Sequence, residues 1–157
     1  MRSLRSTAEV LKQPITVQTN YKVPFSGQQF EMELEMKASA PCIAGVKIAV
    51  GKKHYFSISY DATLEQLTID RANTPSGFSS QYPYFAKKSA YLKAKNEKIK
   101  LHIFFDKSIV EIFANDGELV FTSQIFPESG DTGISFFSDG NTAIFDNVWF
   151  WRMNRNR

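Results

Sequence analysis

Residues 98–127, KIKLHIFFDKSIVEIFANDGELVFTSQIFP, decide the fold. Ile99, Leu101, Ile103 and Phe105 alternate with Lys98, Lys100, His102 and Phe104, the period of a strand with one face buried. Asp106-Lys107-Ser108 interrupts that run, and residues 109–113 begin another. Asn115-Asp116-Gly117 supplies turn chemistry, because Asn and Gly tolerate the positive φ of a tight hairpin. Residues 119–121 return as the partner strand. Three strands joined by two short turns make an antiparallel meander.

Moving upstream, Phe30, Met32, Leu34 and Met36 alternate strictly with Glu31, Glu33 and Glu35. A row of glutamates on one face reads as a solvated sheet face or, for one of them, as a ligand contact. Ala44, Val46, Ile48 and Val50 repeat the pattern, Gly51-Lys52-Lys53 turns, and Phe56, Ile58 and Tyr60 follow. Asp61-Ala62-Thr63 leads into residues 67–71. Residues 72–88 are polar, without a period, and read as a long loop carrying Tyr82, Tyr84 and Phe85. Downstream, residues 133–137 and 144–151 read as two more strands around Ser138-Asp139-Gly140-Asn141.

Near the start, residues 2–12 have too few apolar positions to pack as a helix before Pro14, so a linker fits better. Residues 17–23 read as a first edge strand. The expected organisation is a linker or N-terminal arm over residues 1–20, a β-sandwich over 21–153 and a tail over 154–157. About ten short strands with one wet face each must pair face to face, which gives an all-β, two-sheet antiparallel sandwich rather than an open barrel.

Composition agrees with a folded domain: 157 residues, 43% hydrophobic and 14% aromatic, are enough for a sizeable core. The net charge of +3 is spread along the chain, and its densest basic group, Arg152, Arg155 and Arg157, reads as a solvated terminus. No nucleic-acid partner is expected. No apolar run approaches the roughly 20 residues of a membrane-spanning helix, so no membrane partner is expected either. The residues after Met1 lack the apolar run of a signal peptide. The single cysteine, Cys42, permits no internal disulfide and leaves the redox compartment open.

Chemistry is sparse. His54 and His102 are the only histidines, and no three or four metal ligands share a recognisable spacing, so neither a metal nor another cofactor is expected. Asp116 and Glu118 flank a hairpin turn and serve turn geometry, not acid–base work across a substrate. No catalytic residue is assigned. Trp149 and Trp151 share one face of the last strand, with Val148 and Phe150 on the other. Either that strand is covered on both sides, or one Trp rests against a sugar ring or a neighbouring domain.

Residues 101–127 strongly resemble the C-terminal β-sandwich of glycoside hydrolase family 32, whose segment reads approximately L-R-I-F-V-D-x-S-x-V-E-V-F-x-N-D-G. Leu101, Ile103, Phe104, Asp106, Ser108, Val110, Glu111, Phe113, Asn115, Asp116 and Gly117 fall on it without a gap. Ile58-Ser59-Tyr60-Asp61 and residues 67–71 (LTIDR) resemble the family's "YD…L-x-x-D-R" hairpin, and Ser3-Leu4-Arg5 its "E-S-L-R" linker. The resemblance implies a sandwich of the concanavalin A-like, jelly-roll type in a parent that hydrolyses sucrose, levan or inulin. That chemistry belongs to a five-bladed propeller with W-M-N-D-P-N-G, R-D-P and E-C motifs, none of which occurs here.

Two roles follow from the resemblance. The first is structural: the sandwich packs on the propeller, stabilises it and offers a dimer contact. The second is binding of fructan or a sucrose-type carbohydrate, because the family's sandwich is similar to lectin modules and to carbohydrate-binding module family 66. There a carboxylate-rich site with an Arg holds fructose hydroxyls. Glu31 or Glu33, and Asp139, fall at comparable positions, and Trp149 is the candidate stacking ring. The chain departs from that pattern, since residues 45–50 offer no Arg and no Trp precedes Asp139. The residues leave localisation open; a parent that degrades fructan polymers would work in an extracellular or periplasmic setting.

Overall fold

Phe30, Met32, Leu34 and Met36 are each at most 1% exposed, so the alternation read from the sequence is the inside of a two-layer structure. The computed structural model describes residues 7–75 and 86–153. The strands are β1 (Glu9–Leu11), β2 (Ile15–Val17), β3 (Asn20–Lys22), β4 (Gln29–Ala38), β5 (Cys42–Val50), β6 (Phe56–Asp61) and β7 (Gln66–Asp70). They continue as β8 (Lys87–Tyr91), β9 (Ile99–Asp106), β10 (Ile109–Ala114), β11 (Leu119–Gln124), β12 (Gly133–Gly140) and β13 (Ala143–Arg152).

One sheet has seven strands in the order β1-β13-β4-β9-β10-β11, with β2 also on β13. The other has six, in the order β3-β12-β5-β6-β7-β8. Among the described residues every strand pairing is antiparallel, and the meander β9-β10-β11 forms as its turns require. Lys107 (φ 59°), Asn115 (φ 49°) and Asp116 (φ 60°) take the left-handed conformations of those turns. Asn115 is also a brace: its Oδ1 accepts from the Lys100 amide at 2.9 Å and its Nδ2 donates to the Lys93 carbonyl at 3.2 Å.

Between the sheets, Phe136 of β12 stacks on Phe145 of β13 at 4.3 Å, and Phe30 meets both Phe105 and Phe150. These rings interdigitate with Val46, Ile58, Leu67, Leu101, Ile103 and Ile112, all 0% exposed. At Gly45 the Ile58 carbonyl occupies the place of a Cβ, so β5 and β6 approach closely there.

Several segments differ from expectation. Glu9–Leu11 and Ile15–Val17, expected within the arm, are edge strands on β13. Three-residue strands are too short to show a period, and their apolar side chains find a face only when β13 is in place. The single edge strand expected over residues 17–23 is divided, because β2 joins one sheet and β3 the other. Within the expected long loop, Lys87 and Lys88 open strand β8. Tyr82, Tyr84 and Phe85 lie outside the described residues. Two bulges also interrupt the alternation, at Ala49 (φ 52°) in β5 and Asn147 (φ 49°) in β13.

Candidate functional site

Alternation along β4 sends Glu31, Glu33 and Glu35 to the side of the seven-stranded sheet turned away from the core. Glu31 is nonetheless only 2% exposed. Its register partners account for this: Phe104 of β9 lies on one side and Trp151 of β13 on the other. Glu33 lies one pair along, between His102 and Trp149. His102 reaches diagonally, with Nε2 2.5 Å from Glu31 Oε2. A carboxylate so far out of water requires a polar partner of this kind.

The two tryptophans stack with centroids 6.0 Å apart and planes at 15°. Trp151 is 9% exposed and Trp149 42%, so Trp149 is the ring that water reaches. Across β4, His102 lies 4.4 Å from Phe104, which meets Phe113 edge-on at 5.8 Å. A groove of about 320 Å³ runs beside the tryptophans, bordered by Glu33, Glu35, Lys100 and Asn147. Asn147 Nδ2 donates to Glu35 Oε1 at 3.0 Å, and Lys98 Nζ donates to the same oxygen at 3.3 Å.

Among the described residues, two groups combine donor types that suit a cation. Glu31, Glu33 and His102 hold their ligand atoms within 4.8 Å of one another, as do His54, Glu128 and Asp131. Neither spacing is readable in the sequence, because cross-strand register assembles the first and a loop the second. In the first, the hydrogen bond joins Glu31 to His102. In the second, His54 Nδ1 lies 3.2 Å from Asp131 Oδ2, which also accepts from the Glu128 amide at 2.9 Å.

Of the residues singled out for sugar contact, Glu31, Glu33 and Trp149 come together on this face. Asp139 does not join them: it is exposed near the end of β12, opposite Ile43 in the other sheet. Asp116 and Glu118 are turn residues, paired with Lys100 and Lys95 respectively, each at 2.8 Å. The hydrogen bond from Lys100 holds the Asp116 carboxyl below its ordinary range and raises the lysine in turn. His102, Lys100 and Asn147 are the site residues that sequence reasoning passed over. The outward position of Lys100 and His102 was visible in the alternation, but their neighbours across β4 were not.

A family model described as glycosyl hydrolases family 32 C terminal matches residues 1–152. The chain is similar to a levanase of Bacillus subtilis, 36% identical over 117 residues that make up 72% of this chain and 17% of that protein. It is also similar to a sucrose-6-phosphate hydrolase of Streptococcus mutans, 32% identical over 134 residues, 85% of this chain and 25% of that protein. The chain thus spans well under half the length of either relative. Among solved structures, a fructosyltransferase from A. japonicus shares the fold with a TM-score of 0.81 at 21% identity, over 96% of this chain and 27% of that one. With a two-sheet sandwich whose meander carries the motif and a family match across nearly its whole length, the chain belongs to the C-terminal domain family of glycosyl hydrolases family 32.

Proposed function

We propose that this chain is the non-catalytic β-sandwich module of a β-fructofuranosidase acting on sucrose, levan or inulin, and that it stabilises the catalytic propeller by packing against it. The observation carrying this reading is the match of residues 1–152 to the C-terminal family, together with relatives of which the chain spans only a part. Asp116 and Glu118 pair with lysines at a turn and Glu31 is held by His102, which supports a structural role for these three carboxylates.

A chimera tests the reading. In the 36%-identical levanase, the matching segment is replaced by this chain or deleted. Replacement should keep levan hydrolysis and the melting temperature, and deletion should lower both, because a contact present only in the native state stabilises it. A replacement no better than the deletion refutes the structural role. The purified 157-residue chain should hydrolyse no sucrose, inulin or levan.

A second reading, carbohydrate binding, draws support from the exposed Trp149 ring beside Glu33, Lys100 and Asn147, a stacking platform edged by acceptors and donors. Calorimetric titration with fructose, levan and inulin decides it. Heat lost on Trp149→Ala supports the reading, and no heat at millimolar sugar removes it.

A further inference from the structure

The loop between β11 and β12 meets the turn between β5 and β6, and each brings metal-binding side chains. In the turn, the Gly51 amide donates to the His54 carbonyl at 2.9 Å. In the loop, the Asp131 amide donates to the Glu128 carbonyl at 2.9 Å. Gln28 Nε2 donates to the carbonyls of both Glu128 and Asp131, at 2.7 and 3.0 Å, which pins the loop to the residue ahead of β4. His54, Glu128 and Asp131 come together where turn and loop touch.

Asp131 has little freedom there. It is 4% exposed, and its Oδ1 occupies the space that a Cβ on Gly51 would need. Its Oδ2 accepts from the Glu128 amide at 2.9 Å and faces His54 Nδ1 at 3.2 Å. Glu128 Oε1 lies 3.7 Å from the same nitrogen. With the neutral ring's proton on Nε2, the Nδ1 lone pair faces both carboxylates, and a cation between them satisfies all three. Zinc bonds of about 2.0–2.2 Å set tetrahedral ligand atoms about 3.3–3.6 Å apart. The separations from His54 Nδ1 bracket that edge. Glu31 and His102 on the sheet face do not match it, since 2.5 Å is the separation of a hydrogen bond.

We propose that His54 Nδ1, Asp131 Oδ2 and Glu128 Oε1 form a zinc site that staples the β5–β6 turn to the β11–β12 loop; nothing in it depends on the module reading above. One nitrogen and two carboxylates suit a borderline first-row cation, whereas calcium and magnesium take oxygen ligands. Two carboxylates and a neutral imidazole carry the charge that a divalent cation balances. Lys52 and Lys53 of the same turn are exposed, where solvent and salt screen them. Three protein ligands leave a fourth tetrahedral position for water, and His54 and Gly51 border a groove of about 800 Å³ that can supply it.

Calorimetric titration of the chelator-treated 157-residue chain tests the site. Zinc should bind one per chain, and an excess of about a hundredfold over its Kd should raise the melting temperature by about 5 °C or more. His54→Gln and Glu128→Gln should each weaken zinc by about tenfold or more. The Glu128 side chain is 69% exposed, so Glu128→Gln should leave the metal-free melting temperature unchanged and separate lost binding from lost fold. Cobalt(II) in place of zinc should show the intense visible absorption of a tetrahedral site, and millimolar calcium or magnesium should not displace zinc. No heat at submillimolar zinc overturns the proposal. So does binding that survives both substitutions, that disappears with Glu33→Gln instead, or that calcium displaces. A melting temperature that falls with zinc also overturns it, because the metal then prefers the unfolded chain.

Discussion

Phe145 and Phe150 both point into the core although an odd separation would send them to opposite faces of a regular strand. The extra residue between them is Asn147, which sits between the register pairs Asp146–Glu35 and Trp149–Glu33 with φ 49°. Ahead of it Ala143 and Phe145 face inward; after it Val148 and Phe150 do. The bulge thereby turns Trp149 and Trp151 outward onto the face that carries Glu31 and Glu33, and without it the same tryptophans would compete for the core.

Asn147 should accordingly tolerate Gly and resist β-branched residues. Asn147→Gly is expected to change stability little. Asn147→Val, forced into the left-handed region, should cost about 1–2 kcal/mol in urea unfolding. It should also blue-shift tryptophan fluorescence if the strand slips to bury Trp149.

The Glu31–His102 contact joins a 2% exposed carboxylate to a half-buried imidazole. Removing the ring by His102→Ala should destabilise the chain by about 1–3 kcal/mol, because a buried acceptor loses a partner. In a double-mutant cycle with Glu31→Gln, the two losses should be less than additive. Additive losses would mean that the contact carries no coupling.

Tyr60 is 3% exposed and its hydroxyl donates to the Leu92 carbonyl at 2.8 Å. Burial is the largest cause raising it above its ordinary value, with the nearby Glu65 charge next. A proton held more tightly in the folded chain gives stability that is complete below the unfolded value of about 10 and lost as pH rises through the folded one. Tyr60→Phe should cost about 1–2 kcal/mol at neutral pH and flatten the loss of stability on the alkaline side.

Asp116 shows the opposite sign. Its carboxyl is lowered chiefly by the hydrogen bond from Lys100, so its contribution is present above the unfolded value of about 3.9 and fades as pH falls through the folded one. The pair is solvent-exposed and screened by salt. Asp116→Asn, which keeps the turn's left-handed conformation, should flatten the acid limb of a melting-temperature profile at low salt and do little at high salt.

Local rules made much of this legible. The alternations of β4 and β9, and the turns at Lys107 and Asn115, follow from strand sterics and turn chemistry within a few residues, and the structure has them in place. The bulges at Ala49 and Asn147 were not legible, since neither residue carries the Gly that usually marks such a conformation. Strands β1 and β2 escaped notice because three residues show no period, and β8 because its exposed polar residues resemble a loop.

By itself the sequence determined which side chains of each main strand share a face, where the meander turns, and to which family the motif of residues 101–117 belongs. All three depend on contacts within one strand or one hairpin, where a period of two and a positive φ leave a trace in residue type. Only the tertiary structure decided that Glu31 is buried, that His102 reaches it, and that Trp149 joins Glu33 while Asp139 stands in the other sheet. Those outcomes depend on which strands become neighbours, and β4 meets β9 and β13 across more than 60 and 100 residues of chain. Packing of the whole core selects that pairing, and no stretch of the sequence records it locally.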